Sequence, residues 1–218
     1  MPVPACAGTG ISLPENAISG ILRGMDFPPT ADRLILVKHS LPEVVDGVRA
    51  REWRLSDEGR RRCDGLAEAL AAFAPSGMIT SSDEPKAIET AELVAARLGL
   101  PTAVDAGLAE HRRGASKLLD EAAWQAAIGR LFAHPDRLEY GEETGDQARL
   151  RFAAAVERAH AARSGRGACV CVAHGTVISL YTAAVADVDG HALWRRLALP
   201  SFVVLDLLEG RLEAVWPR

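Results

Sequence analysis

Ala168-Cys169-Val170-Cys171-Val172-Ala173 runs straight into His174-Gly175-Thr176. An unbroken apolar stretch of this length, bounded by polar residues, predicts a strand covered on both faces. Cys169 and Cys171 stand two apart, so in a strand they share a face and act as small hydrophobes. The same design recurs early in the chain, where Leu34-Ile35-Leu36-Val37 ends at Lys38-His39-Ser40. Both buried strands therefore deliver a histidine at their carboxyl ends.

Helical segments separate these strands. Ser56 can cap a helix carrying Leu66, Leu70 and Phe73 at helical spacing, and Pro75 ends it. Gly77 to Thr80 reads as a short strand. Ser81 to Leu98 reads as a helix opened by Pro85 and closed by Gly99, with Pro101 beyond. A brief strand at Thr102 to Val104 precedes an irregular segment from Gly107 to Gly114 and a helical stretch from Trp124 to Phe132. Thr144 and Gln147 have capping-box spacing for a helix to about Arg163. A further helix follows His174 to about Ala186, and Phe202 to Leu207 and Leu212 to Trp216 read as closing strands.

Strands alternating with helices predict an α/β fold, a three-layer α/β/α domain with a largely parallel central sheet. Residues 32–218 form that domain. Residues 1–31, rich in Gly, Pro and Ser without a sustained period, read as a flexible tail, with Met25 a candidate start. The 218 residues are 48% hydrophobic and 25% charged, the composition of a chain able to bury a core. A net charge of -4 argues against a surface built on nucleic-acid phosphates. No apolar run is long enough to span a membrane, and the first residues lack the order of a secretory signal. The cytoplasm is the expected compartment. The four cysteines, Cys6, Cys63, Cys169 and Cys171, match neither a zinc-site spacing nor a disulfide framework.

Ligands of parallel sheets bind at the carboxyl ends of the strands. That rule places His39 and His174 on one edge, and it adds Lys38 beside His39 and Lys86 in the first turn after Thr80-Ser81-Ser82. His174 also opens a helix, whose free amides and dipole favour an anion. Four groups able to hold a phosphate thus converge by topology.

At this point the chain resembles the histidine phosphatase superfamily, or phosphoglycerate mutase-like family. The family's Arg-His-Gly is matched by Lys38-His39-Ser40, and its Leu-Ser, two residues, Gly by Leu55-Ser56-Asp57-Glu58-Gly59. Its Ser-Ser, three residues, Arg-Ala, two residues, Thr-Ala is matched by Ser81 to Ala91, with Lys86 at the arginine. Leu108, Glu110 and Gly114 fit the acid segment, Gly141-Glu142-Glu143-Thr144 approximates a helix start, and Val172-Ala173-His174-Gly175 fits the last motif. The resemblance implies a phosphohydrolase acting on a small phosphorylated substrate, with His39 as nucleophile and Glu110 as proton donor. It implies phosphoryl contacts from Lys38, Lys86, His174 and Ser40, and neither metal nor other cofactor. A mutase, or a silent member serving as a binding module, are the alternatives. Lysine keeps the arginine's charge but not its planar fork, so activity is expected to be low. His111 is expected to be a solvated loop residue, and His134, His160 and His191 are expected at the surface.

Overall fold

The computed structural model describes residues 32–113, 120–163 and 167–217. The tail before residue 32 and the family glycine at position 114 lie outside the described residues. Among the described residues the strands are β1 (Arg33–Lys38), β2 (Ile79–Ser81), β3 (Thr102–Val104), β4 (Cys169–Ala173), β5 (Ser201–Asp206) and β6 (Arg211–Trp216). The helices are α1 (Asp57–Ala71), α2 (Pro85–Leu98), α3 (Glu121–Ala133), α4 (Gly145–Ala161), α5 (Gly175–Ala186) and α6 (Gly190–Arg196).

One six-stranded sheet runs in the order β3-β2-β4-β1-β5-β6. The first four strands are parallel, as the alternation with helices predicts, whereas β5 runs antiparallel to β1 and pairs with β6 as a hairpin. The β1 and β4 runs are apolar without a break because both faces are covered. Ile35, Val37, Val170 and Val172 pack with α1 and α2. Leu34, Leu36, Cys169, Cys171 and Ala173 pack with α4 and α5 on the opposite face. Burying both faces of the central strands removes most of their apolar area from water, the main driving force for this architecture.

Local signals fix the helix ends. Ser56 Oγ accepts the Gly59 amide at 3.0 Å, and both bonds of the Thr144–Gln147 capping box are present. Gly99 closes α2 in the left-handed conformation, with φ of 67°. Ser81, expected as the start of that helix, instead ends β2, and Ser82 to Glu84 lead into Pro85. Helix α6 was not foreseen. Seven residues are too few to display a helical period, although Asp189 caps it through the Ala192 amide at 2.9 Å.

Candidate active site

The parallel register brings the two histidines together. Val37 stands opposite Val172 and Lys38 opposite Ala173, so the next residue on each strand is a histidine at the same edge. The His39 amide donates to the Ala173 carbonyl at 3.0 Å, extending the ladder, and the two imidazole centroids lie 5.1 Å apart. The Ser82 amide donates to the Val172 carbonyl at 3.0 Å, which adds the end of β2 to this edge.

His39 Nδ1 lies 2.7 Å from the Ser40 carbonyl oxygen. A carbonyl only accepts, so Nδ1 carries the proton and Nε2 keeps its lone pair. Burial, then the neighbouring His174 and Lys86, push the His39 pKa well below the ordinary imidazole value. The neutral ring is thereby favoured. The loop that holds it is pinned from two helices: the Ser40 hydroxyl donates to the Gly59 carbonyl at 2.7 Å, and the Ser40 amide donates to Thr90 Oγ1 at 3.0 Å. Gly59 permits this approach, because a Cβ there would stand 2.1 Å from the Leu41 carbonyl oxygen.

His174 Nε2 is 2.7 Å from Ser82 Oγ, and burial pushes its pKa down to about 3 although Glu110 pulls the other way. Glu110 sits on the first turn of α5. Its carboxylate accepts the amides of Thr176 at 3.2 Å, Val177 at 3.3 Å and His111 at 2.8 Å. Burial works to raise the Glu110 pKa, but Arg113, 3.5 Å away, His174 and the amide bonds outweigh it and hold the carboxyl below its ordinary range.

Lys86 is buried, and its amine donates to the Ala50 carbonyl at 2.7 Å and to Glu84 Oε2 at 2.5 Å. Lys38 is turned toward the other face, where its amine donates to the Leu197 carbonyl at 2.7 Å and lies against Gly175 at the start of α5. Of the expected site residues, His39, His174, Glu110 and Lys86 therefore gather at one edge. Ser40 lies beneath His39 with its hydroxyl engaged by Gly59, and Lys38 lies behind the helix start.

Glu84 was missed. It lies inside the Ser81 to Ala91 motif, but spacing does not tell where its carboxylate points. Oε1 accepts the Glu110 amide at 3.0 Å and stands 3.4 Å from His174 Nε2. Glu143 was also missed as a positioning residue. It pairs with Arg151 at 2.5 Å and accepts the Arg112 amide at 2.9 Å, while Arg151 donates to the Gly107 and Ala109 carbonyls. These bonds fix the loop that carries Glu110. His111 is not solvated: it is buried, donates from Nε2 to the Glu143 carbonyl at 2.7 Å and packs on Tyr140. His160 pairs with Asp32 at 2.9 Å, and His191 lies between Phe132 and Trp194, because helix packing found partners that sequence distance hid.

A mixed α/β sheet with paired histidines, a lysine and a carboxylate at its carboxyl edge is an arrangement able to hold an anion. The chain belongs to the histidine phosphatase superfamily (branch 1), whose sequence model matches residues 34–216. It is 30% identical over 190 residues to a glucosyl-3-phosphoglycerate phosphatase of Mycolicibacterium vanbaalenii, an alignment covering 76% of this chain and 84% of the relative. Among solved structures, it resembles a mycobacterial glucosyl-3-phosphoglycerate phosphatase in complex with inorganic phosphate, with TM-score 0.61 and 26% identity, covering 84% of this chain and 96% of that one. The Entamoeba histolytica phosphoserine phosphatase shares the fold, with TM-score 0.65 at 15% identity over 84% of this chain and 96% of that one.

Proposed function

We propose that this protein is a phosphohydrolase that removes a phosphoryl group from a small phosphate monoester by way of a phosphohistidine on His39. The observation that carries the reading is the His39 ring itself, tied at Nδ1 to the Ser40 carbonyl so that a neutral Nε2 lone pair is left beside His174. In the first step Nε2 attacks phosphorus, the ester P–O bond breaks, and the leaving oxygen takes a proton from Glu110. Water then attacks phosphorus, Glu110 takes its proton, the P–N bond breaks and phosphate departs. His174 and Lys86 face the charge that builds on the phosphoryl oxygens, and no step calls for a metal.

Glu110 carries no proton in the resting site, since its carboxyl is held below the ordinary range. The reading therefore requires that a phosphoryl group arriving beside it raise its proton affinity, as a like charge does. Similarity to a glucosyl-3-phosphoglycerate phosphatase supports a small phosphorylated metabolite as substrate. A second reading, anion binding with little turnover, is favoured by the Glu84 carboxylate already resting on Lys86. A panel of phosphorylated metabolites, with acid-quench trapping of phosphate on His39, decides between them. The reading expects release of phosphate, a labelled histidine, and loss of both in His39→Ala. Phosphate appearing on another hydroxyl of the substrate would point to the mutase alternative, and full turnover in His39→Ala would remove the proposal.

A further inference from the structure

Glu84 stands where three segments of the site cross. It immediately precedes α2, yet its side chain makes no bond to the start of that helix, and its amide donates to Ser82 Oγ at 3.3 Å. The carboxylate is turned instead across the sheet edge. Its Oε2 accepts the Lys86 amine at 2.5 Å, and the same amine is held from the other side by the Ala50 carbonyl at 2.7 Å. Its Oε1 accepts the backbone amide of Glu110, in the loop after β3, at 3.0 Å, and stands 3.4 Å from His174 Nε2 at the end of β4. Glu84 and Lys86 are each 5% exposed, so water hardly competes for these bonds. The dipole of a helix favours a carboxylate near its first turn, but that attraction does not require the side chain to reach the backbone of another loop.

Resting on the phosphohydrolase reading, we propose that Glu84 is a positioning residue for the proton donor: anchored by Lys86, it fixes the Glu110 backbone and so sets where the Glu110 carboxyl meets the leaving oxygen. The Glu110 carboxylate is itself held at its far end by the Thr176 and Val177 amides of α5. A residue tied both at its main chain and at its carboxylate has little freedom left. That restriction matters because a general acid must lie within hydrogen-bond reach of the oxygen it protonates, and a misplacement of about 1 Å can cost about a hundredfold in rate. Burial and the like charge of Glu84 also favour the protonated Glu110, against the pull of Arg113, His174 and the His111 amide. Lys86 thereby gains a second task, since a buried carboxylate keeps its place only beside its cation.

Two double variants isolate the bond to the Glu110 amide. Lys86→Met with Glu84→Gln and Lys86→Met with Glu84→Met both remove the buried charges, but only the first keeps a side-chain oxygen for that amide. The measurement is kcat/KM on ethyl phosphate, whose leaving group needs a proton, and on p-nitrophenyl phosphate, whose leaving group needs little. Relative to the Gln pair, the Met pair should lose at least about tenfold more on ethyl phosphate than on p-nitrophenyl phosphate. Adding Glu110→Gln to both pairs should abolish that difference, because the acid being positioned is gone. Equal slowing of both esters, or a difference that survives in the Glu110→Gln background, overturns the assignment and leaves the phosphohydrolase reading in place. Hydrogen exchange at the Glu110 amide gives a readout without turnover: the Gln pair should keep the wild-type protection, and the Met pair should exchange at least about tenfold faster. If wild type hydrolyses neither ester while exchange still separates the two pairs, the proposed function fails and Glu84 stands as the anchor of the Glu110 loop. Equal exchange in the two pairs overturns the assignment.

Discussion

Glu110 illustrates how one residue's environment shapes its chemistry. Its carboxylate is held by the α5 amides and Arg113, which favours the charged form, while the proposed reaction uses its proton. Glu110→Gln should therefore slow alkyl phosphates by about two decades or more and p-nitrophenyl phosphate far less, because a good leaving group needs little protonation. Steady-state kcat/KM on both ester classes provides the check, and equal slowing would make Glu110 a positioning residue. Lys86 behaves differently from a surface lysine. Lys86→Met would leave the buried Glu84 carboxylate without its cation, so a stability loss of about 3 kcal/mol is expected by denaturant titration. The double change Lys86→Met with Glu84→Met should recover most of that loss, since it removes both charges together.

At the scale of elements, the loop after His39 is held by contacts from two helices. Helix α1 brings Gly59 close enough for its carbonyl to take the Ser40 hydroxyl, and α2 brings Thr90 under the Ser40 amide. Gly59→Ala would set a Cβ 2.1 Å from the Leu41 carbonyl oxygen, so the loop behind His39 must shift. A loss of about tenfold or more in kcat/KM is expected even where the variant stays folded, because small misplacements at a reacting centre are costly. Thr90→Val keeps the shape but leaves the buried Ser40 amide without its acceptor. It should cost about 1 to 3 kcal/mol, read as a shift in denaturant midpoint at unchanged slope. The Leu-Ser and Thr-Ala segments of the sequence thus gain a physical meaning as anchors of the His39 loop.

For the molecule as a whole, three buried histidines, His39, His111 and His174, make stability depend on acid. The His174 pKa falls to about 3 in the folded chain from an unfolded value of about 6.5. Between those values the unfolded chain binds the proton and the folded chain does not, so stability is full above about pH 6.5 and declines as pH falls. His39 is lowered for the same first cause and acts in the same direction. Each should remove about 1.4 kcal/mol per pH unit within its window, and denaturant titrations at successive pH values should show His174→Gln flattening part of the decline. The order of strands and helices was legible in the sequence, because continuous apolar runs, Pro85, Gly99 and the Thr144 cap are local signals. So was the shared edge of His39 and His174, since parallel strands ending in histidines meet in only one way. Seven-residue α6, the buried state of His111 and the partners of His160 and His191 were not legible, because they depend on contacts between segments far apart in the chain. The residue types at the site were therefore determined by the sequence. Their directions were decided by the tertiary structure: Lys38 turned to the Leu197 carbonyl, and Glu84 turned onto Lys86 and His174. The physical reason is that spacing assigns a residue to an edge, whereas the orientation of a long charged side chain is settled by whichever buried partner packing brings within reach.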